Sequence, residues 1–183
     1  MTRDDFLSVS QVAAQYPQFR EGKRSLLPGQ QPLLRHSGDC IGYDLAMTPP
    51  QSARFATYTM GYGDSHFSGH SSMYSGVYLF RSRRAAGRAF DELLAATRHC
   101  WGRHVTSGGF GKSLSELRMP RAGHESFAYR LTVHDPDIGK DLFVQTWVRK
   151  GRYLVNVAVE RDRKAPAAKP AYRLSRTAAR IAG

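Results

Sequence analysis

Residues 141–162 read as two strands joined by a tight turn at Lys150-Gly151, because a period of two gathers apolar side chains on one face. With Lys150-Gly151 as a two-residue turn, Arg149 faces Arg152, and the pairs Val148/Tyr153, Thr146/Val155, Val144/Val157 and Leu142/Val159 share one face. The opposite face carries Phe143, Gln145 and Trp147 with Leu154, Asn156 and Ala158, a mixture suited to a half-covered surface or to part of a groove. The same period of two recurs over residues 53–60, over 74–81 and over 127–133, where Phe127, Tyr129, Leu131 and Val133 alternate with Ala128, Arg130 and Thr132. Residues 61–73, rich in Gly and Ser, read as the long tip of a hairpin between the first two of these. Residues 114–119 suit a short strand or turn, and residues 108–111 a flexible connector.

Helical spacing appears in three places. Phe6, Val9, Val12 and Ala13 predict a short amphipathic helix capped by Asp4 or Asp5 and running to about Gln15 before Pro17. The clearest helix spans Arg83 to Cys100, with Ser82 as N-cap and a stripe of Ala86, Phe90, Leu93, Leu94, Thr97 and Cys100. After a basic, proline-containing link at 163–170, residues 171–182 predict a closing helix with Tyr172, Leu174, Ala178 and Ile181 inward. Residues 18–50 read as irregular structure laid over a core. The expected architecture is one α+β domain over residues 1–183, in two layers: a mostly antiparallel sheet of about five strands with helices packed on one side.

Composition narrows the classes. The chain has 183 residues, 41% hydrophobic and 23% charged, and no apolar run of the length a membrane span needs, which excludes fibrous, wholly disordered and multispan proteins. The start, Met1-Thr-Arg-Asp-Asp-Phe6, has acids where a signal peptide needs a basic patch, so an exported form would carry its signal or anchor upstream. The formal charge is +12, distributed unevenly: residues 1–148 hold 17 basic and 13 acidic side chains, residues 149–183 hold 10 and 2. Such an excess favours polyanions in general, whether an anionic polymer, nucleic acid or a membrane surface. Arg149, Arg152, Arg161, Arg163 and Lys164 are the polyanion-binding candidates, with Lys150, Lys169, Arg173, Arg176 and Arg180 beside them.

No catalytic constellation is visible. His66 and His70 flank Asp64 at metal-ligand spacing but in a Gly/Ser-rich loop rather than on a helix face, so no metal is expected. The glycine pairs at 61–63 and 108–111 lack the strand-to-helix context of a nucleotide site, and no cofactor is expected. His134-Asp-Pro-Asp137 is turn chemistry. The most suggestive binding feature is an aromatic set with nearby histidines, and Tyr58, Tyr62, His66, His70, Tyr78 and Trp147 are the candidate ligand-binding residues. Two cysteines 60 positions apart, Cys40 and Cys100, are either ordinary buried thiols or one disulfide.

One longer pattern combines these elements: an early helix over Asp5-Phe-Leu-Ser-Val-Ser-Gln-Val12, then Leu26-Leu-Pro28, then a lone cysteine before the first strand. A strand and helix, Val77-Tyr-Leu-Phe-Arg-Ser-Arg-Arg-Ala-Ala-Gly-Arg-Ala-Phe90, lead to the second cysteine, and a late hairpin ends in Val155-Asn-Val-Ala-Val159. From about residue 5 to 182 this resembles the extracellular sensor domain of actinobacterial PknH-type kinases, which also occurs in stand-alone lipoproteins. The resemblance implies a mixed sheet with flanking helices around a cleft, a Cys40–Cys100 disulfide, and a role in sensing. The function expected on that basis is an exported, non-enzymatic ligand-binding or sensor domain, extracellular or at the cell surface, tethered by a segment absent from this chain. Its expected partner is a small molecule or cell-envelope ligand. The alternative is a basic polyanion- or nucleic-acid-binding protein.

Overall fold

The computed structural model describes residues 3–27, 30–59, 71–137, 139–162 and 165–183. Along them run β1 (Lys23–Leu26), β2 (Leu34–His36), β3 (Tyr43–Leu45), β4 (Ser52–Thr59), β5 (Ser71–Leu79), β6 (His104–Ser107), β7 (Phe110–Leu117), β8 (Glu125–Asp135), β9 (Gly139–Lys150) and β10 (Tyr153–Asp162). The helices are α1 (Val9–Ala13), α2 (Arg83–Cys100) and α3 (Ala168–Ala182). Eight strands form one antiparallel sheet in the order β1-β4-β5-β10-β9-β8-β7-β6, and β2 and β3 pair separately. No helix among the described residues is long and apolar enough to cross a membrane.

The expected sheet of about five strands is therefore corrected to eight plus a two-stranded hairpin, though the class remains α+β. β7, eight residues long, replaces the short strand or turn expected at 114–119; the other additional strands are short and carry little alternation, β1 and β6 being mostly exposed and β3 wholly so. They form because neighbouring backbones need partners, which leaves no apolar period in the sequence. Residues 18–50, expected to be irregular, thus contain three strands and a 3-10 turn at Pro17–Phe19. The connector at 108–111 is a tight turn between β6 and β7, followed by the first residues of β7.

The helices cover both faces, not one. A strand apolar on both sides must be covered on both. On one face Val144, Val148, Val155, Val157 and Val159 pack against Ala171, Leu174, Ala178, Ala179 and Ala182 of α3, with Phe6, Leu7, Val12 and Phe19 beside them. On the other, Tyr78, Phe80, Phe127, Tyr129, Leu131, Trp147 and Leu154 pack against Ala86, Ala89, Phe90 and Leu93 of α2. Each fully buried large side chain in these layers contributes roughly 1.5–3 kcal/mol.

Local details follow the same logic. α2 has the bounds expected from its stripe, and the Ser82 hydroxyl accepts the Ala85 amide proton. α1 is capped by Ser8 rather than Asp4 or Asp5: the Ser8 side chain accepts from Gln11 N at 3.2 Å, while Gln11 Oε1 accepts from Ser8 N at 2.7 Å. The chain ahead of it turns away because Phe6 and Leu7 are docked in the core. α3 starts at Ala168, inside the expected link, with Pro170 in its first turn where the missing N–H costs nothing. Its buried stripe is Ala171, Leu174, Ser175, Ala178, Ala179 and Ala182, with Tyr172 and Ile181 only half-buried at its flanks.

The β9–β10 register is shifted by two residues from the expected one. Val148 pairs with Val155, Thr146 with Val157 and Val144 with Val159, so the turn is Gly151-Arg152. Gly151 has φ +59° at the first central position, where only glycine turns without strain. A shift of two preserves every face, so the separation into a valine face and a mixed face is as the alternation predicts.

Candidate functional site

The mixed face is the floor of a cavity. Two transverse rows cross the sheet side by side: Tyr129-Gln145-Ala158-Tyr74-Thr57, and Phe127-Trp147-Asn156-Gly76-Phe55. Over them the β2–β3 hairpin contributes Leu34, Arg35, His36 and Tyr43, while α2 contributes Leu93 and Thr97. The enclosed space is about 350 Å³, a size suited to a small molecule.

Gly76 shapes this floor. A Cβ there would lie 3.0 Å from Cε1 and Cζ of Phe55 and 3.2 Å from Cε2 of Tyr78. Its absence lets the Phe55 ring lie across β5, edge-on to Tyr78 at 5.4 Å between centroids. Tyr78 in turn leans over Trp147 at 5.8 Å. Three rings from three strands therefore form one apolar wall.

The polar groups converge on His36, which is 3% exposed. The Tyr129 hydroxyl donates to Gln145 Oε1 at 2.8 Å, so its oxygen is left to accept from His36 Nε2 at 3.3 Å. That places the imidazole proton on Nε2 and leaves Nδ1 a bare acceptor, buried without a partner. Burial, with the Lys112 charge adding to it, holds the His36 pKa down to about 3, so the ring is neutral at physiological pH. Burial also raises Tyr43, Tyr78 and Tyr129, which stay protonated phenols. Arg35 pairs with Asp44 at 3.6 Å, while its Nε is buried with no partner.

The hairpin that roofs the cavity is fastened at several points. Cys40, in the left-handed region at φ +66°, forms a disulfide with Cys100 at the end of α2. The Thr48 amide donates to Glu92 of α2 at 3.1 Å, and His99 Nε2 bonds the Gly38 carbonyl at 3.1 Å. Lys112 of β7 donates to the Ile41 carbonyl at 3.1 Å and lies 4.0 Å from the Tyr43 ring centroid. Burial lowers Lys112 to about 8, against the opposing pull of the Asp39 carboxylate.

Chemically the cavity suits binding. Among the described residues no carboxylate or thiol lines it, and its histidine is too weak a base to carry a proton at neutral pH. Among the described residues no cluster of three His, Cys, Asp or Glu is placed to hold a metal.

Of the candidate ligand-binding residues, Tyr78 and Trp147 line this cavity. Tyr58 does not: it lies on the valine face, where its hydroxyl donates to the Leu7 carbonyl at 2.7 Å. Its position follows from strand parity, since Phe55 and Tyr58 are three residues apart on β4 and point to opposite faces. Tyr62, His66 and His70 lie outside the described residues. His36, Tyr43, Tyr129 and Gln145 were not among the candidates. A signal for the first two was present in the paired short runs Leu34-Arg-His36 and Tyr43-Asp-Leu45 flanking a Gly- and Asp-containing turn. Among the polyanion candidates, Arg149 is engaged with Glu125 and Arg152 sits in the β9–β10 turn. The Arg161 side chain, Arg163 and Lys164 lie outside the description.

No protein-family profile matches the chain, and no curated protein does. Among solved structures it is similar to the extracellular domain of PknH from Mycobacterium tuberculosis, at 16% identity and a TM-score of 0.62, over 97% of this chain and 91% of that one. It is also similar to an uncharacterized protein from Mycobacterium smegmatis, the Rv0999 ortholog, at 11% identity and a TM-score of 0.51, over 95% and 96% of the two chains. At these identities the likeness is one of fold.

Proposed function

We propose that this chain is an extracellular, non-enzymatic sensor-type domain that holds a small molecule or cell-envelope fragment in the aromatic cavity, presented at the cell surface by a segment outside these residues. The observation that carries the reading is the cavity: a preformed aromatic space of about 350 Å³ with a buried, partnerless imidazole acceptor in its lining. The ligand class that fits is an apolar or aromatic body carrying one hydroxyl or N–H donor for the imidazole, because most of the lining is apolar or aromatic and the guanidinium in it, Arg35, is already paired with Asp44. The location is supported by a fold similar to an extracellular domain and by a disulfide, a bond that persists in oxidising compartments.

The test uses tryptophan emission in a Trp101→Phe background, which leaves Trp147 as reporter, titrated with aromatic alcohols, amides and cell-envelope fragments. Saturable changes are expected, weakened in Tyr129→Phe and abolished in Gly76→Val, whose added bulk displaces the Phe55 ring. Emission changes that persist in both variants would overturn the cavity as the site. Turnover of a bound compound, abolished by a single cavity substitution, would overturn the non-enzymatic reading.

A further inference from the structure

The face of the sheet opposite the aromatic cavity carries a second concavity, about 560 Å³, between α3 and the chain that leads into β8. Arg173, Arg176 and Arg180 of α3 form one wall, and Arg121, His124 and Lys150 face them. Among the described residues no carboxylate lines it, and the ion pairs seen there, Arg35–Asp44 and Arg149–Glu125, do not involve its cations. The three arginines of α3 are exposed and follow one another at intervals of three and four residues, a row about 10 Å long at the α-helical rise. Across the groove the wall is set by bonds between side chains and backbone. The Gly151 amide donates to His124 Nδ1 at 3.1 Å, leaving the ring's Nε2 to carry the proton, and Arg121 donates to the His124 carbonyl at 3.3 Å.

We propose that this groove binds a linear polyanion through its repeated charges, with phosphate as the favoured group. A single small anion engages two or three donors, whereas five guanidinium or ammonium groups and an imidazole, shared between two walls of a groove of this length, suit a chain. Guanidinium forks match phosphate oxygens two at a time. A membrane surface fits less well, because among the described residues the exposed large apolar side chains, Leu26, Leu34, Tyr43, Leu45, Met47 and Phe110, lie outside the groove. Among the described residues no Phe, Tyr or Trp lines it, so base stacking is limited to the His124 ring and the guanidinium planes, and the backbone charge is the main feature read. The site is independent of the aromatic cavity and does not rest on a ligand being found there.

The experiment measures binding of the whole chain to labelled inorganic polyphosphate by fluorescence anisotropy over a salt series. Orthophosphate, single-stranded DNA of equal charge and anionic phosphatidylglycerol vesicles are run in parallel. Affinity is expected to fall with salt. The variant Arg173→Gln/Arg176→Gln/Arg180→Gln should lose at least about tenfold and flatten the log–log salt slope by about 2, three contacts at about 0.7 each. A control of the same net charge, Arg54→Gln/Arg84→Gln/Arg88→Gln, removes exposed arginines elsewhere and should change little. The corresponding triple lysine variant of α3 should recover most of the slope, which separates lost charge from a damaged helix. DNA should bind in proportion to its charge and without sequence preference. Equal losses in the groove and control variants would overturn the proposal. So would orthophosphate binding as tightly as the polymer, a base preference, or binding to vesicles alone.

Discussion

His36 is buried without charge, and that has a cost that depends on pH. Its pKa is about 3 in the folded chain against about 6.5 when unfolded, so between these values the unfolded state binds more protons. The stability its neutrality contributes is complete above about pH 6.5 and is lost progressively as pH falls toward 3. Between pH 7 and pH 5 the loss is about 2 kcal/mol, readable by urea unfolding at the two values. His36→Gln, which does not titrate in this range, should flatten the dependence. An equal decline in both proteins would place the titrating group elsewhere. The same residue shows why the site was only partly legible. Tyr78 and Trp147 stand on strands with clear alternation, whereas His36 is one residue of a three-residue strand whose period is too short to read. Its role comes from the order of donors through Tyr129 and Gln145, which no sequence spacing encodes.

At the scale of elements, the β2–β3 hairpin is anchored by the buried Leu33 and Cys40 and fastened to α2 and β7 by its disulfide and hydrogen bonds. The Cys40–Cys100 disulfide closes a loop of 60 residues, worth about 4 kcal/mol in loop-entropy terms. Reduction, or Cys40→Ser/Cys100→Ser, is expected to lower stability by up to that amount. It should also quicken hydrogen exchange at residues 33–46 while β9 stays protected, because the hairpin detaches before the sheet opens. Unchanged exchange over 33–46 after reduction would show that the remaining bonds suffice. The long elements were legible because each answers to one dominant requirement: α2 to its apolar stripe and its Ser82 cap, β9 and β10 to their alternating faces. What the alternation left open was the turn, decided by which position Gly151 must occupy. It also left open the number of strands, because β1, β3 and β6 are added by backbone pairing with few buried side chains.

For the whole molecule, the sheet is thickest at its middle. β5, β10, β9 and β8 lie between α3 on one side and α2 on the other, while β1 and β6 form short, largely exposed margins. Amide exchange should therefore be slowest in β9 and β10 and fastest along β1 and β6, and a uniform rate across the sheet would contradict this layering. The order of strands carries one more consequence. Among the described strands β10 comes latest in the chain yet sits at the centre, pairing with β5 on one side and β9 on the other. A growing chain that has reached residue 150 holds two half-sheets, the β4–β5 hairpin and the β6–β9 meander, with no strand to bridge them. Closure of the sheet therefore awaits synthesis of β10 and proceeds through distant pairings, the slow route for a sheet protein. A chain cut before Tyr153 is left with two adhesive halves rather than a smaller stable domain.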